Sequence, residues 1–200
     1  MTNVIEFWFD FSSPYAYFGA LEIENLATKH KRRVQWRPFL LGPAFKATGG
    51  QPIVSIPLRG DYARRDWARA ARRADIPFAL PTSFPTGSVA AARAFYWLER
   101  ERPDLLGRYV LAIFRAYFSD GQEIHNTESV IDIAATLGAD RPQLAAAMAS
   151  PAIKDRLRAI TDEAQARGIF GAPFVIVDDE PFWGADRLSM VDEWLRHGGW

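Results

Sequence analysis

Phe9-Asp10-Phe11-Ser12-Ser13-Pro14-Tyr15-Ala16-Tyr17 joins two different hydrophobic periods. On its N-terminal side, Val4 to Phe9 is a β-branched and aromatic run that reads as a buried strand; beyond it, Ala16, Ala20, Ile23 and Ala27 recur at helical spacing. A strand therefore runs directly into a helix. Proline suits the first helical position because its missing N–H would be unpaired there, and a serine before it is a preferred N-cap. Ser13 thus stands where a helix begins. The free N–H groups and positive dipole end at such a point favour an anion, a thiolate included, and a hydroxyl can add one hydrogen bond. Two readings of Ser13 stay open on these residues alone, a plain helix cap and an anion-binding hydroxyl.

Outward from this junction, Lys31-Arg32-Arg33 turns the chain into Val34-Gln35-Trp36-Arg37, a second strand that completes a βαβ unit with Ser13 at the ligand-bearing carboxyl end. Gly42, Pro43, Gly49, Gly50 and Pro52 then predict a loop over Leu41 to Gln51, with Lys46 its single charge. Asp61 to Ala74 reads as a helix burying Trp67, Ala70, Ala71 and Ala74, with Arg59 and Tyr62 at its start as candidate ligand contacts. Its many arginines are interleaved with Asp61, Asp66 and Asp75, the pattern of a solvated face. Prolines punctuate an extended segment from Ile76 to Pro85, and helices are expected from Ser88 to Glu101, Asp104 to Ser119, Thr127 to Gly138 and after Asp140. The end of the chain reverts to mixed structure: a helix from Pro151, a strand at Phe174-Val175-Ile176-Val177, a turn, a return strand at Phe182-Trp183, and a helix that Asp186 can cap.

Composition narrows the chemistry. The 200 residues are 48% hydrophobic and 14% aromatic, ample for one core or for one domain with an insertion. Twenty-four basic residues balance 24 acidic ones, so neither nucleic acid nor an anionic membrane is expected as the main partner. The absence of cysteine excludes a disulfide, a redox Cys pair and a cysteine nucleophile within the chain. Any thiol chemistry here must use a sulfur brought by a ligand. His30, His125 and His197 are widely spaced, and no metal site is expected from them. A strand starting so near Met1 leaves no room for a secretory leader, and the expected location is cytoplasmic.

The order β-α-β, helical block, α-β-β-α resembles a thioredoxin-like fold with an inserted all-helical domain, the architecture of the DsbA-like oxidoreductases. The implied division is 1–41 and 151–200 for the thioredoxin-like domain and 42–150 for the insertion. Ser13-Pro14-Tyr15-Ala16 stands where those proteins carry Cys-Pro-x-Cys, and Gly171-Ala172-Pro173 resembles their cis-proline loop. Both cysteines of the redox pair are replaced. Such a loop leaves the N–H and C=O of Ala172 available to an extended peptide.

The residues resemble more closely the glutathione-dependent branch of that superfamily, the kappa-class glutathione transferases and the 2-hydroxychromene-2-carboxylate isomerases. Phe9 to Tyr15 matches their opening motif, and the resemblance implies that Ser13 hydrogen-bonds the glutathione sulfur as the catalytic residue. Phe182-Trp183-Gly184-Ala185-Asp186-Arg187-Leu188 is similar to their second motif and implies that Ala185, Asp186 and Arg187 hold the γ-glutamyl part, with Ala172 contacting the cofactor backbone. Lys46 falls at the place of a substrate-binding lysine in the isomerases, Arg59 is a further candidate for the substrate carboxylate, and Phe84 takes the place of a substrate-contacting tyrosine. The activity implied is glutathione-dependent isomerisation of 2-hydroxychromene-2-carboxylate or a related aromatic compound, by a homodimer. The alternatives are a kappa-type transferase or peroxidase and a non-catalytic thioredoxin-fold binding protein.

Overall fold

The computed structural model describes residues 3–200. Its sheet is built on β1 (Val4–Phe9), whose last three residues are all buried because both faces are covered. Helix α1 (Pro14–Lys29) leads to β2 (Arg33–Pro38), parallel to β1 with Phe7 opposite Trp36. Strand β3 (Phe174–Val177) pairs antiparallel on the other side of β1, and β4 (Glu180–Trp183) closes the order β2-β1-β3-β4. This mixed four-stranded sheet is the thioredoxin-like sheet that the element order predicts. Asp178 and Asp179 make the β3–β4 turn, both with positive φ as a tight two-residue hairpin requires. Arg32 clasps the carboxylate of Asp178 through two hydrogen bonds of 3.0 and 2.8 Å, tying the hairpin to the turn before β2.

Between β2 and the final strands the chain is helical: α2 (Leu41–Thr48), α3 (Arg59–Ala74), α4 (Val89–Glu101), α5 (Leu106–Phe118), α6 (Thr127–Thr136) and α7 (Arg141–Ala149), followed by α8 (Pro151–Ala166). Asn126, Asp140 and Ser150 cap α6, α7 and α8 with side-chain oxygens, two of these caps standing before an early proline. Helices α4 and α5 pack onto the sheet. The ring of Phe9 meets Phe114 at 5.7 Å and Phe95 at 6.5 Å, and Tyr17 on α1 stacks on Phe114 and Phe118. Deep in this core the Tyr96 hydroxyl donates to the Pro38 carbonyl, so the end of β2 is fixed by the helical block.

Three local expectations are corrected. The stretch Leu41 to Gln51 is not a loop, since Pro43 falls in the first turn of α2, where proline is tolerated, and the breaker is Gly49 in the left-handed region. Asp186 does not cap a helix. Gly184, at φ 111°, starts a short 3-10 turn over Ala185–Arg187, and only then does α9 (Leu188–His197) begin. In α3 the buried stripe is Ala63, Trp67 and Ala71, with Ala74 turned to solvent.

Candidate functional site

At the carboxyl end of β1 the chain makes a tight turn held by a buried carboxylate. Asp10, 4% exposed, accepts the N–H and the hydroxyl of Ser12, each at 2.8 Å, through one oxygen. Its other oxygen accepts the N–H of Leu41 at 2.8 Å, so the same side chain anchors the start of α2. Ser13 follows as the N-cap of α1 and is itself buried, at 7% exposure. Its Oγ accepts the Ala16 N–H at 3.2 Å and donates to the Ala172 carbonyl at 3.1 Å. The Ala172–Pro173 peptide is cis, and the Ala172 N–H makes no hydrogen bond among the described residues.

These two loops form one wall of a cavity of about 270 Å³. The remaining walls are mostly apolar, with Leu41 and Phe45 from α2, Ile53 and Val54 from the 3-10 turn at Ile53–Ser55, and Trp67 and Phe84, joined by the polar Gln51 and Arg59. Gly60 lets α3 approach that turn, because a Cβ there would lie 2.6 Å from the Val54 carbonyl oxygen. The aromatic rings interlock edge to face, Trp67 meeting Tyr15 at 5.8 Å and Phe84 at 5.5 Å. Trp67 Nε1 is buried with no hydrogen-bond partner. Tyr15 donates its hydroxyl to Asp66 at 2.9 Å, and burial, reinforced by that carboxylate, pushes its pKa far above the ordinary tyrosine value. Tyr15 therefore stays a neutral phenol.

Of the residues singled out in the sequence, Ser13, Ala172, Arg59 and Phe84 line this cavity together. Arg59 is the one charged residue among the described residues that line it. Lys46 does not line it: helical register turns Leu41 and Phe45 inward and leaves Lys46 exposed in the last turn of α2. Ala185, Asp186 and Arg187 also lie outside it. Their turn packs on α1, and the Asp186 charge adds to the rise in the Tyr15 pKa. The Asp186 carboxylate and the Arg187 guanidinium hydrogen-bond each other at 2.9 Å, both largely exposed. Trp183 lines both the cavity and the neighbouring hollow that includes Arg187, with its ring 4.8 Å from Phe170.

Sequence reasoning missed Tyr15, Phe45, Trp67 and Trp183 as cavity residues. Tyr15 and Trp183 lay inside the quoted motifs, and the Leu41/Phe45 spacing of four was available once α2 is read as a helix. The site as built offers a buried hydroxyl at a helix start, a backbone edge at Ala172, and an apolar aromatic chamber with one cation.

Comparison with known proteins bears on the family and the fold. Residues 4–196 match the family model of the DSBA-like thioredoxin domain. The chain is 28% identical to a 2-hydroxychromene-2-carboxylate isomerase from Sphingobium xenophagum, over 98% of this chain and 99% of that protein. It is 25% identical to human glutathione S-transferase kappa 1, over 96% and 90% of the two chains. A solved structure of 2-hydroxychromene-2-carboxylate isomerase superimposes with a TM-score of 0.87 at 27% identity, covering 97% of this chain and 95% of that one. Its relatives are thus isomerases and transferases, and the chain itself belongs to the DSBA-like thioredoxin domain family.

Proposed function

We propose that this protein is a glutathione-dependent isomerase of the 2-hydroxychromene-2-carboxylate type. The observation that carries the reading is the Ser13 hydroxyl, buried at the first turn of α1 and facing an aromatic cavity in a chain that holds no cysteine. The residues present fit glutathione. Ala172 offers an unpaired N–H beside a carbonyl that accepts the Ser13 hydroxyl, and the exposed Asp186–Arg187 pair offers one charge of each sign for the γ-glutamyl amine and carboxylate.

Glutathione supplies a thiolate that can add reversibly to a conjugated carbon, turning a double bond into a single bond free to rotate. The contribution of the chain is electrostatic and positional. Ser13 and the N-terminus of α1 stabilise negative charge on sulfur. Trp67, Phe84 and Phe45 exclude water and stack against a planar substrate, and Arg59 meets its carboxylate. Asp10 and the Tyr15–Asp66 pair hold these walls in register.

The position of Lys46 outside the cavity favours one second reading, a kappa-type transferase or peroxidase acting on an uncharged electrophile. Counting thiols separates the two. Incubated with glutathione and 2-hydroxychromene-2-carboxylate, the protein is expected to interconvert it with trans-o-hydroxybenzylidenepyruvate while free thiol stays constant. Thiol loss with 1-chloro-2,4-dinitrobenzene or a hydroperoxide, without isomerisation, would establish the transferase reading instead.

A further inference from the structure

Leu58 stands at a turn that leucine is poorly suited to make. Its φ and ψ are 67° and −43°, and the Arg59 N–H donates across it to the Pro57 carbonyl at 2.8 Å, which makes a γ-turn of the rare, strained form with positive φ. The side chain is 87% exposed, so no packing holds it there, and it gives α3 no side-chain cap. Glycine would relieve the backbone, and asparagine would cap the helix as well. What imposes the turn lies on either side of it: the Gly60 N–H donates to the Ile56 carbonyl at 2.9 Å, and Gly60 sits close against the Val54 carbonyl. Backbone strain held in place by its surroundings is characteristic of ligand clamps and moving elements.

The residues before this turn are a wall of the cavity. Pro52, Ile53, Val54 and Ile56 line it, and Arg59, which also lines it, follows the turn directly. No residue of the 3-10 turn Ile53–Ser55 is buried, and that turn packs chiefly on α3. At its other end the segment leaves α2 through Gly49, at φ 69°, where an added Cβ would meet nothing within 4 Å. We infer that residues 50–58 form a flap over the cavity, hinged at Gly49 and Leu58, and that the strained turn at Leu58 loads the flap toward opening. Opening takes Leu58 to negative φ, breaks the Pro57–Arg59 hydrogen bond and lifts Ile53, Val54 and Ile56 from the apolar chamber. An aromatic ligand packed on those three side chains buries apolar area in the closed form alone, and so offsets the strain. Closure then shuts water out of the chamber. The flap is a property of the cavity and does not depend on which thiol Ser13 serves.

The test is amide hydrogen exchange on the ligand-free protein, read at Ser55, Ile56, Arg59 and Gly60, whose N–H groups bond within the flap or across its hinge. The amides of β1 report global opening. Leu58→Gly accepts the turn without strain and is expected to slow exchange at the four amides about fivefold, the strain relieved less the freedom that glycine adds to the open chain. Exchange in β1 should not change. Leu58→Pro, with φ fixed at about −65°, cannot make the turn and is expected to lose protection at the four amides while β1 keeps its own. Equal exchange in the wild type and Leu58→Gly, or slowing by the same factor in β1, would overturn the flap. Glutathione with trans-o-hydroxybenzylidenepyruvate should slow the wild-type amides toward the Leu58→Gly rate; if calorimetry shows that both bind and the four amides do not slow, closure on ligand is overturned. Failure of both to bind would overturn the proposed function, and the ligand-free comparison would still decide the flap.

Discussion

Asp10 holds the Leu41 N–H at 2.8 Å, so one carboxylate at the end of β1 sets the position of α2 as well as the turn that delivers Ser13. The two walls of the cavity closest to the proposed chemistry hang on this side chain. Replacing it with alanine removes the acceptor of the half-buried Ser12 and Leu41 amide hydrogens, at a cost of about 1–2 kcal/mol. Asp10→Ala is expected to lower the denaturation midpoint and to reduce turnover, whereas Asp10→Asn, which retains one acceptor, should lie between it and the wild type. Chemical denaturation of the three proteins measures the order.

Arg59 lines the cavity and Lys46 does not, and this inequality has a kinetic consequence. Loss of a cation that meets the substrate carboxylate is expected to raise KM about tenfold, equivalent to about 1.4 kcal/mol of binding. Arg59→Ala should show that rise with a carboxylated aromatic substrate, while Lys46→Ala stays within about twofold of the wild type. Steady-state kinetics on the two variants make the comparison, and the reverse order would return the substrate carboxylate to Lys46.

Far from the cavity, Asp192 on α9 receives Lys29 at 2.7 Å, His30 at 2.6 Å and Arg196 at 2.6 Å, joining the C-terminal helix to the end of α1. The Lys29 and His30 hydrogen bonds hold its carboxyl well below the usual aspartate range. A depressed folded-state pKa stabilises the protein fully above about pH 4, the value of the unfolded chain, and the contribution is lost as the pH falls below it. The network is partly exposed, so its size is that of a modest ion pair, about 1 kcal/mol. Asp192→Asn is expected to lower Tm at pH 7 by about 2–4 °C, a deficit that shrinks steadily as the pH is lowered from about 4 toward 2. Thermal melts across this range give the result directly.

The parts of the molecule legible in the sequence are those where local chemistry and tertiary context agree. The run Val4 to Phe9 and the quartet Phe174 to Val177 are strands with the expected ends, because continuous apolar residues between turn signals admit little else at that length. Ser13-Pro14 caps α1 as its residue types require. Helix α2 was hidden by its composition: Gly42, Pro43, Gly49 and Gly50 resemble a loop, and only anchoring of Leu41 by Asp10, 31 residues earlier, reveals a helix between them. The same blindness to long-range contacts concealed Trp67, which looks like one more core residue of an amphipathic helix until Tyr15 and Phe84 are seen against its ring. Asp186 misled in the opposite sense, since an acidic residue before an apolar helix suggests a cap, yet the positive φ of Gly184 inserts a 3-10 turn and frees the carboxylate to face Arg187.

The most direct test of the account is calorimetric titration with reduced glutathione and with S-methylglutathione, on the wild-type protein and on Ser13→Ala. A thiolate held by Ser13 and the α1 N-terminus predicts that the wild type binds glutathione and that either S-methylation or loss of the hydroxyl weakens binding about tenfold, with the fold of the variant unchanged. No binding at millimolar glutathione, or binding indifferent to both changes, would contradict it and leave Ser13 as a helix cap.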